Sequence, residues 1–152
     1  MLINGTNTKI IIISNDLAST ESLEIALSQH NFTLHKVGSC HEVSNMAQKI
    51  DPDVIIIDLF SPQGSGLEIC QDYRTFSQAP ILVLFTGNKP GIVEKILNAG
   101  ADECITKPAS TKILVARLKT LARRYREEKR IEHLLNEDVL SGGQQSQFRC
   151  HP

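Results

Sequence analysis

Four consecutive apolar residues, Val54 to Ile57, run without interruption into Asp58, and a turn containing Pro62, Gly64 and Gly66 follows at once. A run that is apolar at every position, not every second one, requires a strand buried on both faces, as in a parallel sheet. That requirement constrains the whole chain, because parallel neighbours must be joined by crossovers, usually helical, that cover the sheet. A carboxylate at the carboxyl end of such a strand lies where open α/β sheets place their ligands. Asp58 is therefore the leading candidate for a functional residue.

The segments around this run alternate between strand and helix patterns. Lys9 to Ser14, KIIIIS, is a second β-branched run and reads as the first strand. Leu23, Ala26 and Leu27 recur at helical spacing up to about His30. Phe32 to Val37, FTLHKV, alternates as an edge strand does. Ser39 and Glu42 fit a capping box, and Val43, Met46, Ala47 and Ile50 form the apolar face of the next helix until Asp51-Pro52 ends it. After Asp58, Ser65 and Glu68 fit a second capping box for a helix that turns Leu67, Cys70 and Tyr73 inward. Ile81 to Phe85 reads as the fourth strand, with a helix on Val93, Ile96 and Leu97 after it, stopped by Gly100. Glu103 to Thr106 is a short fifth strand running into Lys107-Pro108, and Ser110 caps a last helix. Five β-α repeats with right-handed crossovers predict a doubly wound, five-stranded parallel sheet of the flavodoxin-like type. A closed barrel of eight such units would need about 250 residues, and the chain has 152.

Composition narrows the function classes. A net charge of -1 gives no electrostatic reason for nucleic acid or an anionic membrane as principal partner. No apolar run approaches the roughly 18 to 20 residues of a membrane span. Cys40, Cys70, Cys104 and Cys150 are scattered without a C-x-x-C pair, which predicts reduced thiols in a cytoplasm and neither a disulfide framework nor a zinc site. The turn after the first strand, SNDLAS, contains no glycine, so the phosphate-cradling loop of a nucleotide-binding enzyme is missing.

In a parallel sheet the carboxyl ends of all strands share one edge. Reading the polar residues there gives Ser14, Asn15 and Asp16 after the first strand, Asp58 after the third, Thr86 after the fourth and Lys107 after the fifth. A carboxylate, a hydroxyl and an ammonium from three strands make a small phosphoryl site. The carboxylate can act as nucleophile, while the cation and hydroxyl hold phosphoryl oxygens and a divalent ion neutralises the remaining charge.

Three segments carry a family resemblance. PDVIIIDLFSPQGSGLEIC resembles the segment around the phosphoaccepting aspartate of bacterial response regulator receiver domains, with Asp58 in that place and Pro62 and Gly66 matching. LFTG resembles the switch strand, with Thr86 as its hydroxyl. GADECITKP resembles the last strand, with Lys107 and a cis-linked Pro108. The resemblance covers roughly residues 9–124. It implies a signalling module, not an enzyme beyond self-phosphorylation and dephosphorylation, that takes phosphate on Asp58 from a sensor histidine kinase. It also implies Mg²⁺ at the site and a signal relayed through the fourth and fifth helices to an output domain or partner.

Two positions depart from the family pattern. The acidic pair that holds Mg²⁺ in such receivers is replaced by Ser14 and Asn15, which leaves Asp58, Asp16 and Asn15 as metal ligands and predicts weak binding. Cys104 stands where the family carries an aromatic switch residue. The alternative these departures raise is a pseudo-receiver, the same fold used for docking or dimerisation without phosphate.

The expected organisation is a disordered start over residues 1–8, a receiver domain over 9–124, a helical extension over 125–140 and a disordered tail over 141–152. Leu114, Leu118, Leu121 and Tyr125 keep a 4-3-4 spacing, which predicts a seam for a homodimer through the last helix. That helix, from about residue 111 to 137, would reach roughly 40 Å. Arg123, Arg124 and Arg126 are interleaved with Glu127, Glu128 and Glu132, which fits a solvated helix better than a DNA-binding one. Asp138 to Gly142, DVLSG, has a five-residue likeness to the DxLTG opening of diguanylate cyclase domains, one form a longer regulator would take.

Overall fold

A computed structural model describes residues 7–14, 16–38, 40–58 and 65–142. Five strands alternate with five helices: β1 (Thr8–Ile13), α1 (Leu17–Leu27), β2 (Phe32–Val37), α2 (Cys40–Ile50), β3 (Val54–Asp58), α3 (Ser65–Arg74), β4 (Ile81–Phe85), α4 (Ile92–Asn98), β5 (Glu103–Thr106) and α5 (Thr111–Gly142). All pairings are parallel and the order is β2-β1-β3-β4-β5. The expected doubly wound sheet is therefore the observed one. The runs in β3 and β4 are apolar throughout because every residue in both strands is buried. The alternating β2 and the four-residue β5 lie at the two edges, where one side of the ladder stays open.

The two faces of the sheet divide the core in two. Ile11, Ile13, Ile55, Ile57, Ile81, Val83 and Phe85 pack beneath α2, α3 and α4. Ile10, Ile12, Val54, Ile56, Leu82 and Leu84 face α1 and α5. This is the period-2 alternation of a pleated strand, with each face apolar because each is covered.

The sequence reading fails in detail at several places. Val93 and Leu97 are 45% and 42% exposed, whereas Ile92 and Ile96 are buried. The pair four residues apart that meets the sheet begins one position earlier than predicted, and one step of about 100° turns its neighbours toward solvent. At the start of α2, Glu42 Oε1 accepts from the Gly38 amide at 3.1 Å; Ser39, the other member of the expected capping box, lies outside the described residues. A further correction is the predicted dimer seam. Leu114, Leu118 and Leu121 are buried against β1, β3 and β4, and Tyr125 packs on the opposite cluster at the sheet margin. That seam is the core-facing side of α5 and is not available to a second copy.

The last helix runs 32 residues, about 48 Å at 1.5 Å per residue. Arg126 is half-buried in contacts with β1 and the start of β3, which corrects its reading as part of a solvated basic cluster; Arg123 and Arg124 are exposed. Ser141 and Gly142 belong to the helix, and the rest of the predicted tail, residues 143–152, lies outside the described residues. Among the described residues no helix is long and apolar enough to cross a membrane.

Candidate functional site

Strand order reverses direction between β1 and β3, and open α/β sheets place their ligands at the carboxyl ends of the strands beside such a switch point. Asp58, the last residue of β3, ends there with its side chain only 1% exposed. Its Oδ1 meets the ammonium of Lys107, whose side chain is 23% exposed. The Lys107 amide donates to the Phe85 carbonyl at 2.7 Å, which carries the β4–β5 ladder one residue past β5. The Lys107–Pro108 peptide is cis. A charge buried as deeply as Asp58 needs a partner, and Lys107 supplies it across two strands.

Thr86 follows β4 immediately and is exposed. Asp58 is in register with Leu84, two residues before it, and Phe85 with Thr106, so Thr86 and Lys107 leave their strands at the same level. At the end of β1, the Ser14 amide donates to Val37 O at 3.2 Å. The Ser14 hydroxyl accepts from the Asp16 amide at 3.1 Å and donates to the Asp16 carbonyl at 3.4 Å. Asp16 precedes α1 at its N-cap position, and its carbonyl accepts from the Thr20 amide and hydroxyl. Asn15, Pro62 and Gly64 lie outside the described residues, while Gly66 falls in the first turn of α3.

Cys104 is paired with Val83 in the ladder and packs half-buried on the α2, α3 and α4 side. Burial pushes its thiol pKa up, and the Glu103 carboxylate adds to the effect. A feature that sequence reasoning missed is a pocket of about 210 Å³ between α1 and α5, lined by Leu23, Ala26, Leu84, Lys107, Pro108 and Leu114 among others. Nothing in the local sequence signals it, because it exists only where two helices distant in the chain flank the Lys107–Pro108 turn.

A buried strand-end aspartate is thus paired with a lysine two strands away, on a 2-1-3-4-5 sheet. The family model for the response regulator receiver domain matches residues 10–119. The chain belongs to that family. Over 134 residues it is 36% identical to the regulatory protein VanR of Enterococcus faecium, an alignment covering 87% of this chain and 57% of that protein. The chain thus spans little more than half the length of this curated relative. Among solved structures it is similar to a two-component response regulator from Clostridium difficile, at 27% identity and a TM-score of 0.69, covering 78% of this chain and 98% of that one. A receiver domain from Vibrio parahaemolyticus, at 14% identity and a TM-score of 0.72 over 84% of this chain and 98% of that one, shares the fold.

Receiver domains generally bind Mg²⁺ at an acidic pocket, and the residues present fit the ion only weakly. Mg²⁺ takes oxygen ligands in a strict octahedron and retains several waters. Here Ser14 presents a hydroxyl already engaged with the Asp16 backbone, and Asp58 Oδ1 faces an ammonium. Among the described residues no group of three or more His, Cys, Asp or Glu side chains is gathered to hold a metal.

Proposed function

We propose that this receiver accepts a phosphoryl group on Asp58 from a phosphohistidine of a sensor histidine kinase. The observation that carries the reading is the buried Asp58–Lys107 ion pair at the switch point of the sheet. A carboxylate oxygen of Asp58 attacks phosphorus, the P–N bond to the imidazole breaks, and its electron pair returns to the ring nitrogen. Lys107 then turns from the carboxylate to the new phosphoryl oxygens, and the Thr86 hydroxyl binds another of them. Asp58, Asp16 and Asn15 are the ligands left for a divalent cation, whose charge offsets that of the phosphoryl oxygens when it is bound; low affinity is expected.

The relay surface in this reading is the outer side of α4 and α5, where Val93, Leu97 and Ile113 are exposed. Exposed apolar side chains are the usual material of a docking patch, here on the two helices that lie on either side of the sheet, for an output domain or partner in the cytoplasm. A thiol at Cys104 cannot swing as an aromatic ring does, so the rearrangement behind Thr86 is expected to be small. Intact mass after incubation with a small-molecule phosphodonor and Mg²⁺ tests the reading. One added phosphoryl group, absent in Asp58→Asn, is expected. No added mass in a time course on folded protein would refute it and leave the fold as a phosphate-independent docking module.

A further inference from the structure

At the amino-terminal end of β3, opposite the Asp58 end, Asp53 is buried with its side chain only 12% exposed. One oxygen accepts from the Lys9 amide at 2.9 Å. The carboxylate also takes a two-pronged hydrogen bond from Arg126, Nε to Oδ1 at 3.2 Å and Nη2 to Oδ2 at 2.9 Å. The same Nη2 donates to the Asn7 carbonyl at 3.2 Å and to the Thr8 hydroxyl at 3.1 Å. A planar guanidinium suits this fork, which a lysine cannot reproduce. One turn later Lys129 reaches Asp51 at 2.9 Å and lies over the ring of Tyr125, 5.1 Å from its centroid. Tyr125 itself packs half-buried against the α2, α3 and α4 cluster.

We propose that Arg126 is a latch that fastens the extension of α5 to the roots of β1 and β3, so that the folded unit ends near Lys129 and not after Arg124. The latch joins the first strand, the strand that carries Asp58 and the outgoing helix through one side chain. β3 spans five residues, about 16 Å, with the latch at one end and the Asp58 site at the other. Whatever follows α5 is thereby carried by the sheet itself and not by a loose connector. The latch resides in Arg126, not in Lys129, because the Lys129–Asp51 pair is exposed on both sides and solvent-exposed pairs contribute little.

The latch is read by hydrogen exchange of the full chain without phosphodonor, so its outcome is independent of whether Asp58 accepts phosphate. In Arg126→Ala, amides of residues 123–135 are expected to exchange about tenfold faster or more, while β4 amides keep their protection and report an intact fold. Arg126→Lys is expected to fall between the two, since it keeps the charge and loses the fork. Lys129→Ala is expected to change exchange by less than about twofold. Unchanged exchange in Arg126→Ala, or an equal effect from Lys129→Ala, would overturn the proposal. Should Arg126→Ala also lose β4 protection, Arg126→Lys decides the matter: an increase confined to α5 supports the latch, and no increase refutes it.

Discussion

Replacing Lys107 with alanine strands the Asp58 carboxylate in a site that water barely reaches. Removing one member of a buried ion pair costs about 3–5 kcal/mol, because the remaining charge loses its counter-charge while staying desolvated. Lys107 is 23% exposed, so water entering the vacated space recovers part of that loss, and about 2–3 kcal/mol is expected. Asp58→Asn leaves the lysine instead, and a flexible side chain at that exposure can extend to solvent; about 1 kcal/mol or less is expected. The decisive variant is the double one. In the Lys107→Ala background, Asp58→Asn removes the stranded charge and is expected to recover about 2 kcal/mol, reversing the sign of its effect. Urea unfolding followed by circular dichroism at neutral pH, with a chelator present, reads all four proteins. With a slope of about 1–3 kcal/mol per molar urea, Lys107→Ala should lower the midpoint by about 1–2 M. A midpoint within about 0.3 M of the parent, or no recovery in the double variant, would refute the view that Lys107 balances a buried Asp58 charge.

Three further outcomes follow from the geometry. Burial pushes the Cys70 thiol from 9 to about 11 and the Tyr73 hydroxyl from 10 to about 12. Both folded-state values lie above the unfolded ones, so their contribution is fully present below pH 9 and lost as pH rises from about 9 to 12; urea midpoints in that window should fall less steeply in Cys70→Ala/Tyr73→Phe. Gly100 has φ +118, and an added Cβ would lie 2.9 Å from Arg74 Cγ, while its carbonyl accepts from Arg74 Nε at 3.1 Å. Gly100→Ala should therefore cost about 1–3 kcal/mol by thermal unfolding, and no loss would contradict the assigned backbone. On α4, Ile96→Ala should cost about 2–4 kcal/mol and Leu97→Ala within about 0.5 kcal/mol; equal costs would mean the helix is rotated from its described position.

The sequence by itself determined the fold class and the position of Asp58 at the end of a buried strand. Runs such as Val54 to Ile57 leave no polar face, which only a sheet covered on both sides can accept, and strand-end polar residues in a parallel sheet must share one edge. Those are consequences of short-range periodicity, which a linear chain displays directly. Tertiary structure decided what periodicity leaves degenerate. On α4, the pair Ile92 and Ile96 and the pair Val93 and Leu97 have the same spacing, and only the docked helix selects which is buried. On α5, a 4-3-4 seam serves a partner helix or the chain's own sheet equally well, and it is the sheet that takes Leu114, Leu118 and Leu121. Arg126 reads as one more surface charge in a basic run until the fold brings it to Asp53, a contact between residues far apart in sequence that no local pattern encodes. The pairing of Asp58 with Lys107 has the same origin, since burial gives a carboxylate its need for a counter-charge and the order of the strands settles which lysine meets it.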